Sequence, residues 1–240
     1  MRVVERPALT LTTAGMADDR RFFLVDERGR LANGKHVGEL GTVVASYDDP
    51  VLTLTFPDGS VVSSNVALGE PFDARFMSLQ LLVRPLTGPW SDALSAWFGR
   101  TLRVVQGVDR SGVDRGRAGA VSLISRASLN GLARRAGEQV DARRFRMLVE
   151  IDGVEAHAED GWVGARVRIG GALVRFRGHV GRCAVTTRHP ESGAVDLPTL
   201  DLLRAYRGEL DTTEPLPFGV YGEVLEGGRV AVGDRVEVVA

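Results

Sequence analysis

The chain of 240 residues contains one cysteine, Cys183. A single thiol excludes an internal disulfide framework. It also excludes the four thiolates of a typical iron–sulfur cluster, so no iron–sulfur cluster is expected. Histidine is scarce too: His36, His157, His179 and His189 show neither an HExxH pattern nor zinc-finger spacing, so no zinc site is expected. No apolar run approaches the ~20 residues that a membrane-spanning helix needs. The start, MRVVERPALT, has no apolar core of a secretory signal. A basic excess is absent, the formal net charge being −1, which argues against a nucleic-acid partner. These absences lead to the expectation of a cytoplasmic protein with neither membrane nor nucleic acid as partner. Lysine is nearly absent as well. Lys35 is the only one, so 30 basic residues less one leaves 29 arginines. The guanidinium fork grips phosphate and carboxylate better than an ammonium does.

What is present is mostly strand pattern. RFFLVD (21–26), GTVVASY (41–47), VLTLTFP (51–57) and LQLLVRP (79–85) are rich in β-branched and apolar residues. Pro57-Asp58-Gly59 predicts a hairpin turn. GPWSDALSAWFGR predicts a helix capped by Ser91 and stopped by Gly99, with Leu94, Trp97 and Phe98 on one face. QGVDRSGVDRGRAGA (106–120) has the composition of a flexible Gly/Arg-rich loop. SLNGLARRAG, ended by Gly137, and LPTLDLLRAYRG (197–208) predict two further helices. RFRMLVEID (144–152), ALVRFRGHV (172–180) and RCAVTT (182–187) read as strands. FGVYGEVLEGGRVAVGDRVEVV reads as a closing hairpin. The fold class is therefore mostly β with a few short helices, of the barrel type rather than a wound parallel sheet.

From Val121 onward the order of VSLISRASLNGLA, VDARRFRMLVEIDG, HAEDGW, VRIGGALVRF, GRCAVTTRHPESG, FGVYGEVL and GGRVAVGDRVEV resembles the MOSC domain, the C-terminal domain of molybdenum cofactor sulfurases. DDRRFFLVDERGR and GPWSDALSAWFGR in the first half resemble the β-rich domain that precedes MOSC in amidoxime-reducing relatives. The resemblance implies an N-terminal β-rich domain over 1–105, the loop 106–120, and a MOSC β-barrel over 121–240. It makes Cys183 of the Arg-Cys pair the thiolate that ligates molybdenum, hence the catalytic and metal-binding residue. A soft thiolate suits such a metal, and Arg182 beside it would favour the deprotonated form. Arg20 and Arg146 match arginines that contact the pterin of molybdenum cofactor. The same resemblance implies reduction of N-hydroxylated small molecules. Electrons would come from a separate donor protein, ferredoxin-like or a flavoprotein.

The chain departs from the family pattern at named places. Leu148 stands where an asparagine is usual, and MRVVERPALT has no counterpart of the Pro-x-Lys-Ser segment. If the cofactor is held in the family manner, Leu148→Asn should strengthen binding. If it has been abandoned, Leu148 should pack with apolar neighbours such as Val149 or Ile151. The alternatives are a persulfide or cofactor carrier acting through Cys183, and a MOSC fold without the cofactor. His179, four residues before Cys183, shares its face if the strand is regular, and is either a proton relay or a structural histidine. Glu159 and Asp160 are either proton donors or, more commonly for turn carboxylates, backbone-bonding residues.

Overall fold

The computed structural model describes residues 1–16, 19–76, 79–108 and 116–239. The middle of the expected Gly/Arg-rich loop, 109–115, lies outside the described residues. Residues 103–107 of its flank form a strand and 116–119 a 3-10 turn. Two compact units emerge. The first comprises Met1–Val3, Arg20–Val113 and Pro190–Ala194, the second Val4–Asp19, Asp114–His189 and Val195–Ala240. Both are dominated by strands, as expected.

In the first unit a six-stranded sheet runs Leu31–Ala32, Phe22–Val25, Arg103–Gly107, Leu79–Thr87, Ala67–Leu68, with Phe72–Phe76 also paired to Leu79–Thr87. A three-stranded meander, Val44–Asp48, Val51–Thr55 and Val61–Asn65, turns its second hairpin at Asp58, whose carboxylate accepts from the Ser60 N–H and hydroxyl. Helix α1 (Trp90–Phe98) buries Trp90 and Leu94, and the Trp90 indole N–H donates to the Leu52 carbonyl at 2.9 Å. Gly99 ends it in the left-handed region, as expected. Ser91 does not cap it: Pro89 holds that position, and the Ser91 hydroxyl instead accepts from the Val104 N–H. Proline fits there because its missing N–H has no helical partner to lose.

In the second unit a six-stranded sheet has the order Val149–Ile151, Val121–Ser125, Pro217–Glu226, Ala172–Gly181, Arg166–Ile169, Val236–Val239. Its core holds Leu123, Val174, Phe176 and Val220. Helix α2 (Arg126–Ala136) is capped by the Ser125 hydroxyl and closed by left-handed Gly137; helix α3 (Thr199–Arg207) starts after Pro198. The closing segment is not a hairpin. Gly228–Ala231 leaves the six-stranded sheet to pair with Ala8–Thr12, while Val236–Val239 pairs with Arg166–Ile169. Gly228 crosses so close to the Gly171 carbonyl that a Cβ would collide with it. The glycines therefore serve a chain crossing rather than a tight turn. Among the described residues no helix is long and apolar enough to cross a membrane.

Candidate functional site

Cys183 lies past the end of a strand, not within one. The strand Ala172–Gly181 runs out where Gly181 faces Pro217, which has no N–H to extend the ladder. The chain then folds into the 3-10 turn Ala184–Thr187, with Cys183 at its N-cap. The Thr186 N–H and hydroxyl both donate to the Cys183 carbonyl at 3.0 Å. Threonine thus closes the turn locally, which the strand reading of RCAVTT overlooked. The thiol is left half-buried and without a disulfide partner.

Arg182 reaches main-chain carbonyls. Its guanidinium donates to the carbonyl of Phe145 (Nη1, 2.9 Å) and, through Nε (2.9 Å) and Nη2, to that of Phe218. Nη2 also contacts the Met147 sulfur at 3.0 Å, and the guanidinium lies 5.2 Å from the Phe145 ring centre. Gly219 follows at φ 85°; a Cβ there would come within 2.7 Å of the Leu123 carbonyl and the Met147 methyl. Arg182, the residue before Cys183, therefore ties two backbone segments together.

One of those segments carries Arg146. The stretch expected as a strand over 144–152 opens instead as the 3-10 turn Ala142–Phe145, and only Val149–Ile151 is strand. Asp141 caps the turn, accepting from the Arg143 N–H at 2.9 Å and gripping its guanidinium at 2.6 Å. Burial works to raise the Asp141 pKa, but the bonds and charge of Arg143 outweigh it and the value is lowered. Arg144 is buried in a bidentate pair with Asp196, at 2.6 and 2.8 Å, which holds the Asp196 carboxyl below its usual range. Arg146 ends the turn with an exposed side chain and a left-handed φ of 52°. This turn packs against the cysteine turn. The hydrogen bond from Arg182 to Phe145 joins the residue before Cys183 to the residue before Arg146.

Arg20 belongs to the first unit. It is exposed, with φ 53°, and its neighbour Arg21 stacks 4.6 Å from the Tyr47 ring centre and donates to Gln106. Among the described residues only Arg20, Arg146, His157 and Leu216 are non-glycine residues with left-handed φ. That conformation costs an L-residue about 1–2 kcal/mol and concentrates at functional sites. Leu148 is partly buried against the core cluster that holds Val149 and Ile151, and its N–H donates to the Ser122 hydroxyl. His179 donates its N–H to the Thr213 hydroxyl at 2.7 Å. A register shift between His179 and Gly181 breaks the even spacing that would have set its side chain beside Cys183. Glu159 is fully buried, accepting from the Ser125 N–H and Ser128 hydroxyl. Asp160 pairs with Arg207. Glu159 thus bonds backbone as well as a side chain, whereas the Asp160 carboxylate bonds a guanidinium, which neither alternative named.

The donor set suits a metal that brings ligands of its own. Among the described residues no group of three or more His, Cys, Asp or Glu side chains is arranged to hold a metal ion. A half-buried thiol on one turn and an exposed guanidinium on the turn packed against it fit a dithiolene pterin phosphate: sulfur for the metal, the fork for the phosphate. Leu148 adds no polar contact to that set.

The model of the MOSC domain matches residues 95–237, and that of the MOSC N-terminal beta barrel domain matches residues 1–104. The chain belongs to the MOSC domain family. Among relatives of this MOSC protein, mitochondrial amidoxime-reducing component 1 of Xenopus laevis is 26% identical over 252 residues, covering 93% of this chain and 73% of that protein. Molybdenum cofactor sulfurase of Oryza sativa subsp. japonica is 26% identical over 273 residues, covering 94% of this chain and 31% of that protein. Among solved structures, YiiM from Geobacillus stearothermophilus is similar at 19% identity and a TM-score of 0.40, covering 52% of this chain and 56% of its own. The YuaD protein from Bacillus subtilis is similar at 13% identity and a TM-score of 0.42, covering 97% of this chain and 85% of its own. The names of these relatives, amidoxime-reducing component and molybdenum cofactor sulfurase, associate the family with molybdenum cofactor.

Proposed function

We propose that this MOSC protein binds molybdenum cofactor through Cys183 and reduces N-hydroxylated small molecules with electrons from a separate protein. The supporting observation is the half-buried thiol held next to the Arg146 turn by the Arg182–Phe145 bond. Relatives named amidoxime-reducing components supply the reaction class. The reaction breaks the N–O bond, takes up two electrons and two protons, and releases the N–H compound and water. When bound, the cofactor supplies the two-electron exchange. The Cys183 thiolate holds the metal, Arg146 binds the pterin phosphate, and Arg182 fixes the spacing between the two turns. Arg20, which the resemblance also matches to a pterin-contacting arginine, is tested by its own substitution.

Protein expressed in a cofactor-producing host should carry molybdenum and reduce an amidoxime with a chemical reductant. Cys183→Ser should lose both, and Arg20→Ala and Arg146→Ala should lower molybdenum content. Wild-type protein without molybdenum overturns the reading. Leu148, packed on the core where relatives have an amide, favours a second reading, a sulfur carrier. In that case Cys183 carries a persulfide, visible as a mass increment of one sulfur atom that a thiol reductant removes.

A further inference from the structure

Behind the cysteine turn the second unit buries a polar cluster that the proposed reaction does not use. It is built from the 3-10 turn Ala158–Trp162, the start of α2 and the end of α3. Glu159 has no solvent exposure, and only its Oε1 is occupied, by the Ser125 N–H at 3.0 Å and the Ser128 hydroxyl at 2.8 Å. The Ser128 hydroxyl also accepts from the His157 N–H at 2.8 Å. Arg207, 3% exposed, donates through Nη2 to Asp160 Oδ2 at 2.5 Å and through Nε to the Pro217 carbonyl at 2.6 Å. The next carbonyl, that of Phe218, is the one Arg182 grips.

Four buried polar atoms of this cluster have no hydrogen-bond partner: His157 Nδ1, Glu159 Oε2, Asp160 Oδ1 and Tyr206 Oη. Buried polar groups are almost always satisfied, each orphan costing about 1–3 kcal/mol. Four in one place therefore call for an occupant. The groups are mutual neighbours: the His157 and Tyr206 ring centres are 5.7 Å apart, and both rings lie in the field of Arg207, Arg135, Glu159 and Asp160. His157 is moreover one of the left-handed residues, at φ 67°.

The chemistry of the four atoms selects the occupant. Two carboxylate oxygens only accept, and a phenol and a neutral imidazole nitrogen can each donate. That complement is two hydrogens wanted and two offered, which one water supplies and accepts. A metal cation would satisfy the oxygens alone. It would also add charge to a cluster in which two carboxylates already balance Arg207 and Arg135. Burial, with Arg207 and Arg135 beside it, pushes the His157 pKa down and keeps the ring neutral at pH 7. Burial likewise pushes the Tyr206 hydroxyl up, so it keeps its proton.

We propose that His157, Glu159, Asp160 and Tyr206 enclose a binding site for an ordered internal water that joins the Ala158–Trp162 turn to α3, next to the carbonyls that support Arg182. A high-resolution crystal structure of the metal-free protein tests it. Expected is a water peak within hydrogen-bond distance, ~2.6–3.2 Å, of Glu159 Oε2, Asp160 Oδ1 and at least one of the other two atoms. An empty site, or an ion with contacts shorter than hydrogen bonds, overturns the proposal. Tyr206→Phe gives an independent sign. It keeps the ring on which the Arg135 guanidinium stacks at 4.0 Å and removes only the hydroxyl. With water present the variant loses a hydrogen bond and melts lower. In a dry cluster it removes an unsatisfied group and melts at the same temperature or higher, which overturns the proposal.

Discussion

Arg143, Arg144 and Arg146 stand within four residues and differ in setting: Arg143 bonds a local carboxylate, Arg144 is buried in a pair with Asp196, and Arg146 is exposed. Residue type alone does not distinguish them, because the partner of Arg144 lies 52 residues away. Cys183 was legible as a singular residue, and the family resemblance named its neighbours. What the sequence did not show is that the Arg182 guanidinium also bonds the backbone carbonyls of Phe145 and Phe218. Leu148 carries the prediction at this scale. Its side chain packs against the core cluster that contains Val149 and Ile151, so Leu148→Asn sets an amide against an apolar core. The variant should lose ~1–3 kcal/mol of unfolding free energy, read from urea denaturation. Unchanged stability with raised molybdenum content would show that position 148 faces the cofactor after all.

The helix ends at Gly99 and Gly137 were legible because a glycine stop is local chemistry, whereas the start expected at Ser91 falls at Pro89. The two turns that carry Arg146 and Cys183 were not, because apolar and β-branched residues in RFRMLV and AVTT mimic strands while Asp141 and Thr186 close turns. These turns depend on their fastenings. Breaking the Arg144–Asp196 pair leaves a guanidinium that is 7% exposed, with a buried Nε already lacking a partner. Asp196→Asn should therefore cost about 1–3 kcal/mol at pH 7, the carboxylate being partly exposed. The sign with pH follows from the lowered Asp196 pKa. The pair's contribution is complete above the unfolded value of ~3.9 and is lost as pH falls through the folded value. Acid titration of stability should thus show the wild type and the variant converging below about pH 4. A difference that stays constant down to pH 2 would place the stabilisation elsewhere.

At the scale of the whole chain, sequence order and compact units do not coincide. The strand Ala8–Thr12 precedes nearly all of the first unit yet belongs to the second, pairing Ala8 with Ala231 and Leu11 with Gly228. Pro190–Ala194, seven residues beyond Cys183, belongs to the first. Contiguous segments were the natural reading, because alternation along a strand reports which face is buried and not which strand lies alongside. Leu11 tests the interleaving. It is 1% exposed and sits in one core cluster with Leu123, Phe176 and Val230, all of the second unit. Leu11→Ala should cost about 2–5 kcal/mol, the range for a buried leucine whose cavity does not collapse. Hydrogen exchange shows where that loss falls. Amides of Gly228–Ala231 and Ala8–Thr12 should lose protection together, whereas those of Val51–Thr55, around the separate core of Leu52, Leu54 and Trp90, should exchange as before. Loss of protection confined to Val51–Thr55 would put Leu11 in the first unit. An unchanged pattern throughout would mean that its side chain is not part of a core.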